Sequence, residues 1–140
     1  MSASPERVSP PPCASPSPQR TRWAGLCALT WVSACVVTHL PPAQLPDLHT
    51  SDLSLHAVGY GVLASVVWQT LRSYALSPAR RWAWVLILLA YAVLDELTQP
   101  LMGRATELRD WLSDFVGIVS AFIGWELLAA WRAQRTTLQS

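Results

Sequence analysis

The sequence predicts an all-α fold: a polytopic membrane protein, a bundle of four transmembrane helices with both termini cytoplasmic. Three observations predict it. Only 14% of the 140 residues are charged, where a soluble domain carries about 25%. Four apolar runs explain the shortfall: 23–40, 53–71, 82–99 and 111–131. Each has about 17–21 residues, the length a helix needs to cross a hydrocarbon core of about 30 Å. A soluble protein can bury one such helix, but a chain of 140 residues cannot cover four. Third, the Arg residues are unevenly spread. There is no Lys, and eight of the ten Arg fall before the first run, between the second and third, or after the fourth. These are Arg7, Arg20, Arg22, Arg72, Arg80, Arg81, Arg132 and Arg135; only Arg104 and Arg109 fall on the other side, offset by Glu107 and Asp110. Positive charge concentrates on the cytoplasmic side, so the loops 41–52 and 100–110 are expected outside.

Residues 1–22 are rich in Pro and Ser, with Pro10-Pro11-Pro12 at the centre. Such a segment cannot bury a core and is expected as a disordered cytoplasmic tail. Residues 23–131 form the membrane domain, and 132–140 a short cytoplasmic tail. The runs lack the period-2 alternation of barrel strands, and only helices or closed barrels span lipid. Trp23, Trp68, Trp82, Trp84, Trp111 and Trp131 lie near the proposed helix ends, as an aromatic belt requires; Trp31 does not. Pro100 ends the third helix, and Gly103 permits a tight turn. Gly117 and Gly124 are expected to let helices approach closely.

Cys13, Cys27 and Cys35 do not form a disulfide framework: one lies in the tail and two lie in the first helix. Val32-Ser33-Ala34-Cys35 resembles a lipoprotein cleavage site. Cleavage there would leave a lipidated Cys35 and three spans; an intact first helix keeps four. Against processing stand the long Pro-rich leader and apolar residues continuing to Leu40. The net charge of +1 gives no reason to expect nucleic acid as a partner.

The polar residues are the functional signal. Asp95 and Glu96 close the third run, and an acid near a bilayer centre costs roughly 2.5–3.5 kcal/mol on insertion scales. Asp52, His56 and Tyr60 are four apart and form one stripe on the second helix. Asp95 and Gln99 share a face of the third helix, and Glu96 lies about 100° around from Asp95. Gln99 is within reach of either acid. Asp110, Asp114 and Gly117 repeat the spacing on the fourth helix, where acids in the first turns suit its dipole. Asp52, His56, Asp95, Glu96, Gln99, Arg104, Asp110 and Asp114 all fall in the outer third. The inner halves hold almost nothing polar except Glu126, expected to reach the inner interface or Arg132. The pattern predicts one outward-facing polar chamber. His39 and His49 lie near the outer surface with no patterned neighbours, and Tyr91 and Phe115 read as packing. The plain structural reading of the whole set is a buried polar network that docks helices.

The order and spacing of these motifs resemble the VanZ-like family of bacterial membrane proteins, over roughly residues 20–131. The family's Asp, His and Tyr at four-residue intervals are matched by Asp52, His56 and Tyr60. Its Asp-Glu-x-x-Gln is matched by Asp95, Glu96 and Gln99, and its following Arg by Arg104. Its Asp-x-x-x-Asn-x-x-Gly is approached by Asp110, Asp114 and Gly117, with Asp114 in place of the usual Asn. Leu53 stands where a Lys often follows the first Asp. The namesake member is associated with low-level resistance to the glycopeptide teicoplanin. The resemblance therefore implies the bacterial inner membrane and the cell envelope, without implying a reaction.

Four functions fit these residues. The first is binding or processing of an anionic envelope component, lipid-linked or a cell-wall precursor. Arg104 would grip its phosphate or carboxylate, His56, oriented by Asp52, would act as base, and Asp95 or Glu96 as acid. Tyr60, Gln99, Asp110 and Asp114 would line the substrate. The second is a divalent cation held by the acids and His56, a set that Asp95 and Glu96 weaken by diverging. The third is a transporter or proton relay, for which the inner halves lack polar steps. The fourth is a non-catalytic scaffold or assembly protein. The sequence has no His-Glu-x-x-His pair, Gly-x-Ser-x-Gly elbow or Gly-rich phosphate loop, and Ser113 and Ser120 have no matched base.

Overall fold

Helix ends here are set by caps as much as by hydropathy. The computed structural model describes residues 17–41, 44 and 51–138. Helix α1 spans Pro18–His39; the Ser17 side chain accepts from the Arg20 amide, and Pro18 opens the first turn. Helix α2 spans Asp52–Ser73 and is capped by Ser51, which accepts from the Ser54 amide. Helix α3 spans Pro78–Thr98 and repeats the Ser-Pro start, with Ser77 accepting from Arg80. A short 3₁₀ helix, Gln99–Met102, follows, and Gly103 leaves it at φ 77°, in the left-handed region. Helix α4 spans Leu108–Thr137. Among the described residues there is no strand.

These helices outrun the apolar stretches. The first takes in Pro18–Arg22 of the expected tail, and the last takes in most of residues 132–140. Hydropathy measures what lipid can solvate, whereas backbone hydrogen bonding continues until a cap or breaker stops it. The expected disordered tail falls largely on residues 1–16, outside the described residues, as do Cys13, His49 and most of the 41–52 loop. Two helical segments, Pro78–Met102 and Leu108–Thr137, are long and apolar enough to cross a membrane. Helices α1 and α2, at 22 residues each, are shorter than these segments and do not reach their mean hydropathy.

The chain runs up and down. Helices α2 and α4 are a parallel, close-packed pair: His56 meets Asp114, and Trp68 meets Glu126. A Cβ at Gly117 would overlap the Ala57 carbonyl, and Gly61 lies opposite Gly117. Gly124 corrects the expectation made for it: nothing lies within 4 Å of where its Cβ would be. Helices α1 and α3 are also parallel, with Trp31 edge-on to Tyr91 at 5.0 Å. The core lies where α2, α3 and α4 meet, around Leu63, Val67, Trp68, Leu88, Ile118 and Phe122. No residue of α1 is fully buried.

Polarity is partitioned in an unusual way. Leu29, Leu86, Leu97 and Leu127 each expose more than 60% of their surface, while His56, Asp95, Glu96, Gln99, Asp110 and Asp114 are buried. These six lie toward one end of the bundle. The opposite end is held by Arg81, whose guanidinium grips both Glu126 oxygens at 2.7 and 2.8 Å. Glu126 also accepts from the Trp68 indole at 2.9 Å. The partner of Glu126 is therefore Arg81 and not Arg132. Arg81 is one turn into α3, at the same level, while Arg132 lies almost two turns further along the same helix as Glu126.

A buried histidine and carboxylate cluster as candidate functional site

His56 is the hub. One turn inside α2, it points at the facing side of α4, which Gly117 allows to come close. Its Nδ1 shares a hydrogen bond with Asp114 Oδ1 at 3.0 Å. Glu96 Oε1 of α3 lies 3.9 Å from the same nitrogen, and Asp110 Oδ2 of α4 lies 3.7 Å from Nε2. Three helices thus send a side chain to one point. Glu96 is fixed further by the Gln99 amide at 3.1 Å and by the Glu107 backbone N–H at 3.3 Å. The Thr106 hydroxyl ties the returning loop to the Glu96 carbonyl. Gln99 reaches inward because the 3₁₀ helix tightens the chain at the end of α3.

The predicted residues do converge at one end, but they divide into three groups. His56, Glu96, Gln99, Asp110 and Asp114 form the buried cluster. Asp95 turns to α1, where Thr38 donates to its Oδ1 at 2.8 Å and His39 Nδ1 lies at 3.5 Å. The Tyr60 ring is buried between these groups, 6.1 Å from the Tyr91 ring; its hydroxyl interacts with Asp95 without a well-formed hydrogen bond. Asp52 and Arg104 sit at the rim, 3.7 Å apart, with the Arg104 side chain 11% exposed and that of Asp52 59%. Asp52 therefore does not orient His56. Asp114 does, because it arrives from the parallel helix at the depth of the ring, while Asp52 sits in the first turn and leans to solvent.

Sequence reasoning missed the Thr38, His39 and Thr98 group. His39 Nε2 lies 2.9 Å from the Thr98 hydroxyl, so it bridges α1 and α3 beside Asp95. The available signal was a Thr-His pair ending a run otherwise almost free of polar side chains.

A cavity of about 400 Å³ opens between α1 and α2 beside the cluster. Val37 of α1, Leu40 just after its end, and Leu55 and Gly59 of α2 form its apolar side. Asp52, His56, Tyr60 and Arg104 give it a polar end. Two triads bring possible metal-ligand atoms within 4.8 Å of one another: His56–Glu96–Asp114 inside the cluster, and Asp52–His56–Asp110, which reaches the rim. Cys35 is exposed on α1 as a free thiol. No family model, curated protein or solved structure matches this chain.

Proposed function

We propose that this is a VanZ-like, four-pass protein of the bacterial inner membrane that binds an anionic amphiphile of the cell envelope, a lipid-linked intermediate or cell-wall precursor. The carrying observation is the shape and chemistry of the α1–α2 cavity. Its wall is apolar and its end presents Arg104, His56 and Tyr60, with Asp52 leaning to solvent beside Arg104, which suits a chain with a charged head. Helix α1, which forms one side of the cavity, has no fully buried residue. Membrane residence is supported by the apolar outer surface, since monomeric soluble proteins rarely expose contiguous patches of this kind. His56, oriented by Asp114, is the base available for any processing step.

The test is binding of a long-chain isoprenyl phosphate to the purified protein. Saturable binding, preferred over the uncharged isoprenol, is expected. Arg104→Lys should weaken it by about tenfold or more, because Lys offers no planar fork, with the melting temperature near wild type. If Arg104 serves only its rim pair with Asp52, worth about 0–1 kcal/mol, the substitution will be silent and this reading fails.

A second reading, a scaffold whose polar network only docks helices, is favoured by one observation. His56, Glu96 and Asp114 tie α2, α3 and α4 directly to each other. The same binding experiment separates the two, because a scaffold has no preference for the phosphate.

A further inference from the structure

The buried cluster has more acid than base. Glu96, Asp110 and Asp114 are 3%, 4% and 0% exposed. Among the described residues the one basic group within 4 Å of them is the His56 ring. Polar atoms there also lack partners. Asp114 Oδ2 and Gln99 Oε1 are buried without a hydrogen bond, and the Gln99 amide rests on Glu96 Oε1. Both side chains are fully buried. Buried carboxylate and amide oxygens left in this way are costly, and a docking network has no use for them. Asp114 Oδ2 belongs to one of three side chains whose candidate ligand atoms already lie close together: His56 N, Glu96 O and Asp114 O, all within 4.8 Å of one another.

We infer that His56, Glu96 and Asp114 bind one divalent cation, with the Gln99 amide holding Glu96 in place. The ligand set is one imidazole and oxygen donors, which suits Zn²⁺ or Mn²⁺ better than a thiolate-seeking ion. The cation would take the place of the proton that His56 Nδ1 shares with Asp114, since metal ligands bind deprotonated. It would offset two of the buried negative charges. Asp110, 3.7 Å from Nε2, would then orient the ring from behind, as carboxylates do for metal-bound histidines. The other triad, through Asp52, is the weaker site because that side chain is 59% exposed. The inference does not depend on an amphiphile in the α1–α2 cavity.

The full chain, purified in detergent with a tag free of His and stripped with EDTA, is titrated with Zn²⁺ against a chromophoric chelator. A parallel titration with Mn²⁺ is followed by the EPR signal of the free ion. One ion per chain is expected for at least one of the two metals, with a rise in melting temperature on loading. Asp114→Asn and Glu96→Gln, which keep size and shape, should each weaken binding at least about tenfold and abolish most of the thermal shift. Absence of stoichiometric binding to the wild-type protein overturns the inference, even if a variant misfolds. Binding that persists unchanged in both variants overturns it equally, because it places the ion elsewhere.

Discussion

Two glycines separate close packing from coincidence of spacing. Gly117 and Gly124 are seven apart on α4 and look equivalent in sequence. Only Gly117 faces backbone, that of Ala57 and Gly61 on α2. Gly117→Ala should force α2 and α4 apart at the level of the cluster, costing about 1–3 kcal/mol as overpacking does, and should loosen the His56–Asp114 hydrogen bond. Gly124→Ala should be neutral or stabilise by up to about 1 kcal/mol, the usual helix preference for Ala. Thermal melts of the two variants in one detergent check this pair, and equal effects would remove the close-approach argument. The same residue scale shows what periodicity reveals and what it hides. A four-residue stripe puts Asp52 and His56 on one face of one helix, but not which carboxylate from another helix meets the ring. Asp114 was identifiable as a member of the site and not as the partner of His56. Asp95 and Glu96, adjacent in sequence, go to different neighbours because about 100° of rotation separates them. Ala75 was hidden too: it takes φ 57° in the α2–α3 turn, a position where Gly would have announced the bend.

At the scale of elements, the end of the bundle away from the cluster is organised by one ion pair and one indole. Arg81 of α3 and Glu126 of α4 make a two-pronged contact with side chains 11% and 19% exposed. Trp68 of α2 donates to the same carboxylate and stacks on Trp125 at 5.4 Å. Arg72 and Arg81 both approach the Trp68 ring, at 5.3 and 5.4 Å from its centroid. Three helices are therefore fastened at a point. Arg81→Met alone leaves Glu126 desolvated and half-satisfied, and should cost on the order of 3 kcal/mol. Adding Glu126→Leu should recover most of that loss, because replacing both charges removes the desolvation penalty along with the attraction. Chemical unfolding in mixed micelles measures it; a double variant as unstable as the single would mean that the pair stabilises on its own account. Helix existence was plain from the four apolar runs, while the starts of α1, α2 and α3 were encoded by Ser17, Ser51 and Ser77, which hydropathy does not weigh. The Arg81–Glu126 contact was not legible, since it joins residues 45 apart across two helices.

For the whole molecule, the distribution of charge sets orientation. Arg20 bonds the Ser73 carbonyl at the start of α1 and end of α2, and Arg72, Arg81 and Arg135 lie toward the same end. The acidic cluster lies at the other, where α2 and α4 begin. Parallel α2 and α4 direct two positive dipole ends at that cluster, and Asp52 and Asp110 stand in their first turns. If all four helices cross, the Arg-rich end is cytoplasmic by the positive-inside rule and the cluster and cavity face out. Reporter fusions after Gln44, Ala79, Glu107 and Gln134 should then read out, in, out, in. Two outcomes would overturn the model at different points. A cytoplasmic signal at Glu107 alone would mean that α3 and α4 enter as a re-entrant pair. Among the described residues theirs are the two segments that qualify by length and hydropathy, so this would be the more damaging result. Loss of the alternation at Gln44 and Ala79, with Glu107 still outside, would instead place α1 and α2 on the membrane surface against a two-pass core. That arrangement would expose His56, Tyr60 and Arg104 to the interface and not to a cavity within the outer leaflet, and the amphiphile reading would fall with it.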